Sequence, residues 1–387
     1  MSSLPPVTQA RSDTHLQLPQ GQFILQRWPQ RKHELLRAWD AADEYLLNTL
    51  HEDNLLFQGM RLLIVNDSFG ALAVVLHHYQ PQSLSDSWLC HQATRDNLQA
   101  NGIDQNAITL LDSLTTPQGP LDMVLIKAPK TLALLEDEII RIAPALTPKT
   151  SVIVAGMIKG MPASGWQLLE RLLGATSTSL ARKKAKLITV TPDKLAEMPQ
   201  SPYPVCYRLE GSTHQVCNHA NVFSRDSLDI GTRFFLQHLP TDLHGKSVVD
   251  LGCGNGVVGL ITAARNPEAQ LHFVDESFMA VASARENFHH NLPGREANFR
   301  AGDTLSDFSD NSIDLVLCNP PFHQGSAVGD QIARRMFHQS TRVLRQGGEL
   351  WVIGNRHLGY HKTLQQVFGN SELVASNNKF VILKSRL

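Results

Sequence analysis

The chain has 387 residues, of which 42% are hydrophobic, and its formal net charge is −1. This length and apolar content allow two domains, each with a core of ordinary size. The near-neutral charge excludes a global positive field for a polyanion, so any contact with nucleic acid has to come from local basic patches.

The cysteines and the first residues bear on the cellular compartment. The spacing of the five cysteines favours free thiols and a reducing compartment: Cys90, Cys206, Cys217, Cys253 and Cys318. The first residues lack a basic segment followed by an apolar one, and no stretch approaches the roughly 20 apolar residues that span a bilayer. We therefore expect a soluble cytoplasmic protein without a membrane segment.

Strand and helix patterns alternate twice along the chain, and the two series resemble each other at an offset of roughly 190 residues. Two unrelated α/β domains could produce such parallels, but three matches in the same order favour duplication. The matched pairs are residues 61–70 with 247–256, 93–101 with 282–291, and 121–129 with 313–321.

A proline-rich stretch between about residues 190 and 215 predicts the junction of two domains. We place the domains at residues 1–198 and 199–387. The basic run at residues 182–186, together with Lys127, Lys130 and Lys159, could neutralise phosphates, although a solvated charged face explains the run nearly as well.

In the second half, residues 247–251 form an apolar strand that enters a turn containing Gly252, Gly254 and Gly256. Small residues at such a turn let the backbone approach a ligand, and the following helix offers free amides. With Gly259 the turn also spells G-x-G-x-x-G, so a dinucleotide site is an alternative, as is a turn without a ligand. Asp250 is poorly placed beside a pyrophosphate but can orient the turn and a cationic amino-acid group.

Two further carboxylates follow neighbouring strands. Asp275 ends the strand after the glycine turn, where a carboxylate can accept hydrogen bonds from ribose hydroxyls. Asp303 follows the next strand and is a candidate acceptor for an adenine amino group, although a turn or helix cap is an equal alternative. These features, together with Asp250 and the tetrapeptide at residues 319–322, favour S-adenosylmethionine as the cofactor.

Residues 319–322, Asn-Pro-Pro-Phe, follow the apolar strand 313–318, and the prolines turn the backbone out of the sheet. The Asn319 side-chain oxygen and the Pro320 carbonyl could each accept an N–H of a planar amine, which frees its lone pair for methylation. Phe322 could stack on the base. A turn that only ends the strand is the alternative.

The other reactive residues give weaker signals. Cys253 and Cys318 are not predicted to be nucleophiles, since a free thiol gives little thiolate at neutral pH. The histidines lack the spacing of a metal site, so no metal is expected. Arginines on the helix after the tetrapeptide could reach RNA, although such residues usually only solvate a helix face: Arg334, Arg335, Arg342 and Arg345.

Residues 250–256, Asp275 and residues 319–322 together resemble the class I S-adenosylmethionine-dependent methyltransferases that act on amino groups. Residues 221–232 and 319–324 are similar to the ribosomal RNA guanine-N2 methyltransferases, and nearly the whole chain resembles the large-subunit type, methyltransferase G. Matching segments include residues 38–47, 126–136 and 355–358. The resemblance is weaker at Ala128, where that family favours valine, and in the N-terminal tail.

The resemblance implies two tandem Rossmann-like α/β methyltransferase domains, the first degenerate and RNA-binding, the second catalytic. It implies methylation of the N2 amine of one guanine in 23S ribosomal RNA, naked or within a precursor particle. Adenine N6 and a protein glutamine amide stay open as alternative amines. A non-catalytic RNA-binding or assembly protein is the alternative from another class.

Overall fold

The computed structural model describes residues 13–30, 34–321 and 327–387. These residues divide into two compact units, Met1–Ser201 and Pro202–Leu387. Each unit is built around its own mixed sheet with helices packed against it, so the predicted α/β class is confirmed.

The first unit starts with a hairpin and continues as alternating helices and strands. Its strands are β1 His15–Leu18, β2 Gly21–Ile24, β3 Leu62–Val65, β4 Gln82–Ser85, β5 Thr109–Asp112, β6 Met123–Lys127, β7 Ser151–Met157, β8 Thr176–Thr178 and β9 Ala185–Val190. Its helices are α1 Ala41–Glu52, α2 Ala71–Val75, α3 Trp88–Ala100, α4 Leu132–Ile142 and α5 Ala163–Leu172.

The second unit repeats this order. Its strands are β10 Val205–Arg208, β11 Gln215–Asn218, β12 Ser247–Leu251, β13 Gln270–Asp275, β14 Asn298–Ala301, β15 Ile313–Cys318, β16 Leu344–Asn355, β17 Glu372–Ser376 and β18 Phe380–Arg386. Its helices are α6 Ile230–Leu236, α7 Val257–Arg265, α8 Phe278–Asn291, α9 Ala327–Val343 and α10 Tyr360–Phe368.

Within the described residues, the two seven-stranded sheets share one topology. The order is β5-β4-β3-β6-β7-β9-β8 in the first unit and β14-β13-β12-β15-β16-β18-β17 in the second. The first five strands of each order are parallel, and the sixth, β9 or β18, runs antiparallel to both of its neighbours. The chain reverses its direction of winding between β12 and β15, and such switch points are where open α/β sheets bind ligands.

The central strands are buried on both faces. In β12, Val248 packs into the layer that contains Phe273, whereas Val249 packs into the layer on the other side with Val274 and Val316. Complete burial of a side chain such as Phe273 stabilises the unit by roughly 1.5–3 kcal/mol. The alternation fixes the register of β12, because a shift by one residue would exchange the two layers.

Paired asparagines in each unit bind a hairpin strand to a helix. On α8, Asn287 bonds both backbone groups of Cys217, and Asn291 does the same to Gln215. On α3, Asn97 bonds Gln26 and Asn101 bonds Ile24 in the same manner. The same bonds at matched positions support the duplication that the sequence suggests.

One expectation about the cysteines is wrong. Cys206 and Cys217 form a disulfide across the antiparallel pair β10–β11, where they are register partners. The sequence does not reveal this pairing, because it depends on the hairpin register rather than on spacing. Cys90, Cys253 and Cys318 are thiols outside this disulfide, as expected, and all three are buried.

Candidate active site

The predicted site residues of the second unit meet along one edge of its sheet. Asp250 lies in β12, Asp275 ends β13, and Asn319 directly follows β15. Since β13, β12 and β15 are adjacent and parallel, their carboxyl ends share that edge. Asp303 follows β14, the next strand outward. The sequence-predicted residues thus form one candidate site at the switch point.

The glycine turn between β12 and α7 has a backbone that only glycine adopts readily. Gly252, Gly254 and Gly256 have φ angles of 69°, 54° and 76°. A Cβ at Gly256 would lie 2.7 Å from the Cβ of Ala284, whereas a Cβ at Gly254 would meet nothing within 4 Å. Gly256 is therefore required for packing, while Gly254 borders open space that a ligand could use.

Asp275 holds this turn from the neighbouring strand. Its Oδ2 accepts a hydrogen bond from the Gly254 amide at 2.9 Å, and its Oδ1 accepts one from the Ser277 amide at 3.0 Å. A carboxylate oxygen can accept more than one hydrogen bond, so Asp275 is also a suitable acceptor for ribose hydroxyls. The side chain links the turn to the start of α8.

Asp250 is buried and holds the start of α7. Its Oδ2 accepts a hydrogen bond from the Gly259 amide at 2.7 Å. Burial, reinforced by the charge of Asp275, raises the pKa of Asp250 to about 8, although the Gly259 amide opposes the shift. The carboxyl is therefore largely protonated at neutral pH, and a cation placed nearby would favour its ionised form.

Asp303 is buried and forms an ion pair with Arg335 of α9. This ion pair ties α9 to the carboxyl end of β14. RNA was one possible partner for Arg335 and its neighbours on the basis of sequence, but these arginines bind within the unit. Arg334 donates to Gln366, Arg342 pairs with Asp310, and Arg345 pairs with Asp314.

Asn319 presents an acceptor without a partner. Its Oδ1 is buried and has no hydrogen-bond partner among the described residues, whereas its Nδ2 donates to Thr232 Oγ1 at 3.0 Å. Pro320 is buried beside it. Phe322, predicted to stack on a base, lies outside the described residues. A buried acceptor without a partner costs stability, so a substrate N–H is a fitting complement.

Two residues that contact Asn319 directly or through a neighbour were not predicted to have roles. Asp229 caps α6 and accepts from the amide of Thr232 at 2.8 Å. Thr232 is the residue that Asn319 contacts. Both lie in the segment 221–232 that carries the family resemblance. An aspartate three residues before a threonine is typical of a helix start, and this was the signal in the sequence.

The buried thiols beside the site are not nucleophiles. Cys318 packs against Met336, and burial raises the pKa of the Cys318 thiol. Burial also raises the pKa of Cys253 well above its usual value, with the nearby charges of Asp275 and Asp250 adding to the shift. Both thiols are protonated at neutral pH, in agreement with the sequence prediction.

The matching edge of the first unit has a different composition. Lys127 occupies the position in the first sheet that Asn319 occupies in the second. Its Nζ pairs with Asp40 Oδ1 at 2.8 Å and with Asp43 Oδ1 at 2.6 Å. The charge of Lys127 is balanced within the unit, so this pairing does not favour Lys127 as a phosphate contact. The turn at 66–70 retains only Gly70 of the glycines, so this copy is degenerate.

Two searches of the described residues bear on metals and membranes. Among these residues, His, Cys, Asp and Glu side chains form no group of three that could hold a metal ion. Within the same ranges, each helix is too short or too polar to cross a bilayer.

Known proteins resemble both units. Residues 13–194 match the family described as the RLMG N-terminal domain, and residues 213–384 match the methyltransferase small domain. Proteins named ribosomal RNA large subunit methyltransferase G are similar along nearly their whole lengths. That of Ectopseudomonas mendocina is 52% identical over 95% of this chain and 98% of its own. That of Erwinia tasmaniensis is 50% identical over 96% and 99%.

A solved structure also matches both units. The T. Thermophilus 16S rRNA N2 G1207 methyltransferase, in complex with AdoMet and guanosine, superposes with a TM-score of 0.74 at 20% identity. The match covers 96% of this chain and 97% of the other. It confirms the predicted fold of two tandem Rossmann-like methyltransferase units.

Proposed function

The chain belongs to the ribosomal RNA large subunit methyltransferase G family, and from that premise we propose its reaction. It transfers a methyl group from S-adenosylmethionine to the exocyclic N2 amine of one guanine in 23S ribosomal RNA. The unpartnered Oδ1 of Asn319 beside the glycine turn carries this proposal.

The residues at the sheet edge fit the cofactor. Gly254 borders open space at the start of α7, and the carboxylate of Asp275, which holds the turn, is a group suited to accept from ribose hydroxyls. Gly252 and Gly256 shape the turn. Asp250, buried and largely protonated, ionises when a cationic amino group approaches.

Asp303 is proposed to accept from the adenine amino group. Its carboxylate also holds Arg335, and a carboxylate has lone pairs for both interactions. This position is consistent with the order of the sheet, in which β14 lies one strand beyond Asp275.

Asn319 prepares the amine for attack. A guanine amine is a poor nucleophile while its lone pair is delocalised into the ring. When Asn319 Oδ1 and the Pro320 carbonyl each accept one N–H, the lone pair is released and directed toward the methyl group. Bound S-adenosylmethionine supplies that methyl on a sulfonium, which is a good leaving group, so positioning needs no covalent enzyme intermediate. Phe322 is proposed to stack on the base.

The two units are proposed to divide the work. Residues 199–387 hold the cofactor and the catalytic asparagine, whereas residues 1–198 bind RNA. The degenerate turn and the ion-paired Lys127 support the absence of a cofactor role in the first unit. We place the reaction in the cytoplasm, with RNA that is naked or in a precursor particle.

In vitro methylation with labelled cofactor tests the reaction, using naked large-subunit RNA and precursor particles as substrates. We expect label in N2-methylguanine at one position after digestion and mass spectrometry. Asn319→Ala removes the acceptor, so transfer falls by roughly 100-fold or more while thermal unfolding is unchanged. Asn298→Ala, at an exposed asparagine on β14, is the matched control.

Other products would point to the alternatives. Label on adenine N6 or on a protein glutamine would identify a different amine and contradict the guanine assignment. A deletion strain that loses no methylguanine, and regains its phenotype equally with Asn319→Ala, would indicate a non-catalytic RNA-binding protein.

A further inference from the structure

Asn319 stands at one end of a chain of hydrogen bonds whose other end is a carboxylate. Asn319 Nδ2 donates to Thr232 Oγ1 at 3.0 Å, and Thr232 Oγ1 donates to Asp229 Oδ2 at 3.2 Å. The same Asp229 oxygen accepts from the Thr232 amide at 2.8 Å. Thr232 is buried, so water does not readily replace these hydrogen bonds.

The chemistry of the three groups fixes the direction of every bond. An ionised carboxylate can only accept, so the single hydroxyl hydrogen of Thr232 goes to Asp229. Thr232 Oγ1 then has only lone pairs left for Asn319. The NH₂ of the Asn319 amide must therefore face Thr232, which turns Oδ1 away from Thr232, where it has no partner.

We propose that Thr232 and Asp229 are positioning residues for methyl transfer, because they hold the Asn319 amide with its oxygen toward the substrate amine. A rotated amide would present NH₂ to the substrate and repel its N–H groups. This inference rests on the proposed function, since it gives the orientation of Asn319 a role in the reaction.

The first unit provides an internal comparison. Asp40 caps α1 as Asp229 caps α6, and Asp43 is the third residue of its helix as Thr232 is. Lys127, the last residue of β6, matches Asn319, because the residue before each one pairs with the last residue of the neighbouring strand β3 or β12. The three positions touch in both units. In the first unit they carry an ion pair and present no amide oxygen. The fold thus brings the three positions together, and the side chains of the second unit give the hydrogen bonds a direction.

Thr232→Val tests the proposal, because valine keeps the shape of threonine and removes the hydroxyl. We expect kcat for RNA methylation to fall roughly 10- to 100-fold, with the affinity for S-adenosylmethionine and the thermal unfolding temperature unchanged. Thr232→Ser restores the hydroxyl and is expected to recover most of kcat. Thr262→Val is the matched control, since Thr262 is buried in the same unit and its hydroxyl donates to Val258 of its own helix.

Asp229→Asn tests the carboxylate at the end of this chain of hydrogen bonds, which can only accept. Asparagine is an equally good helix cap, so the fold is retained, but its amide can donate as well as accept. The chain of hydrogen bonds can then reverse, and kcat is expected to fall. An unchanged kcat would exclude Asp229 from the role.

The outcomes separate the two proposals. If the wild-type protein methylates guanine N2 and Thr232→Val matches Thr262→Val in kcat, the positioning role is wrong and the proposed function stands. A loss of kcat in Thr232→Val that serine does not rescue, or a loss that appears in cofactor affinity, also overturns the role. If the wild-type protein transfers no methyl to guanine, both proposals fail.

Discussion

At the scale of single residues, each unit has an aspartate that accepts a hydrogen bond from the corresponding amide of the helix after the turn. The aspartate itself comes from a different position in each unit. Asp250, in strand β12, accepts from Gly259, whereas Asp67, in the turn after β3, accepts from Ala73 at 2.8 Å. Gly259 and Ala73 match each other, counted from Gly256 and Gly70 at the start of each helix. The first unit thus keeps the bond although it lacks the acidic residue that precedes the turn.

The buried position of Asp67 makes the stability of the first unit depend on pH. Burial, together with the charge of Asp43, raises the pKa of Asp67 from 3.8 to about 7. Protons therefore bind the folded state more tightly than the unfolded one. The stabilisation is complete below pH 3.8 and is lost as pH rises to about 7. The difference between these two pKa values corresponds to roughly 4 kcal/mol.

Asp67→Asn should remove this dependence, since the amide is uncharged and its oxygen can still accept from Ala73. We expect the variant to match wild type near pH 4 and to exceed its free energy of unfolding by up to roughly 4 kcal/mol near pH 8. Urea unfolding followed by tryptophan fluorescence measures this, because Trp28, Trp39, Trp88 and Trp166 all lie in the first unit.

Asp53→Asn, at an exposed carboxyl of the same unit, controls for the removal of one negative charge. A difference between Asp67→Asn and wild type that is equal at every pH would contradict the assigned cause.

At the scale of elements, the glycines of the turn before α7 differ in what an added side chain would meet. Gly256→Ala adds a Cβ within 2.9 Å of the Ala284 backbone at a φ of 76°. The clash and the left-handed conformation should together lower the free energy of unfolding by roughly 2–5 kcal/mol. Gly254→Ala meets no atom within 4 Å, so its cost is only the left-handed conformation, roughly 1–2 kcal/mol.

For the affinity for S-adenosylmethionine, we expect the larger effect from Gly254→Ala. The Cβ of Gly254→Ala enters the open space beside the turn, so we expect calorimetry to show weaker cofactor binding with a smaller loss of stability than in Gly256→Ala. Equal losses of stability in the two variants would contradict the packing role of Gly256, and unchanged binding by Gly254→Ala would count against a cofactor at this turn.

The sequence predicts elements better than contacts between them. Strand, turn and helix follow from local patterns of apolar residues and glycines, so the site along β12, β13 and β15 was predictable. The Cys206–Cys217 bond required the hairpin register, and the ion pair of Lys127 with Asp40 and Asp43 joins residues far apart in the chain. The Asn319–Thr232 hydrogen bond was missed for the same reason, because a cap and a strand end give no joint signal in one sequence.

At the scale of the whole molecule, a net charge of −1 means that RNA affinity has to come from how the charges are distributed. Lys130 follows β6 and Lys159 follows β7 in the first unit. Lys184 precedes β9, whose start pairs with the end of β7. These three exposed lysines, the edge lysines, lie at the carboxyl edge of the first sheet. That edge matches the one that holds the candidate site in the second unit.

Reversing the charges of the edge lysines should weaken RNA binding without affecting the cofactor site. For Lys130→Glu, Lys159→Glu and Lys184→Glu combined, we expect a higher KM for RNA, with kcat and cofactor affinity unchanged. The dependence of log Kd on log salt should become shallower by roughly 0.7 for each phosphate that the variant no longer neutralises.

Lys149→Glu is the matched control, since Lys149 is exposed but precedes β7 and so lies at the opposite edge. Because a nonspecific change of charge would affect both edges alike, an equal rise of KM in the control would exclude a local RNA interaction at the edge lysines. If the triple variant keeps the wild-type salt dependence, the edge lysines do not contact RNA phosphates, and the first unit binds RNA elsewhere or not at all.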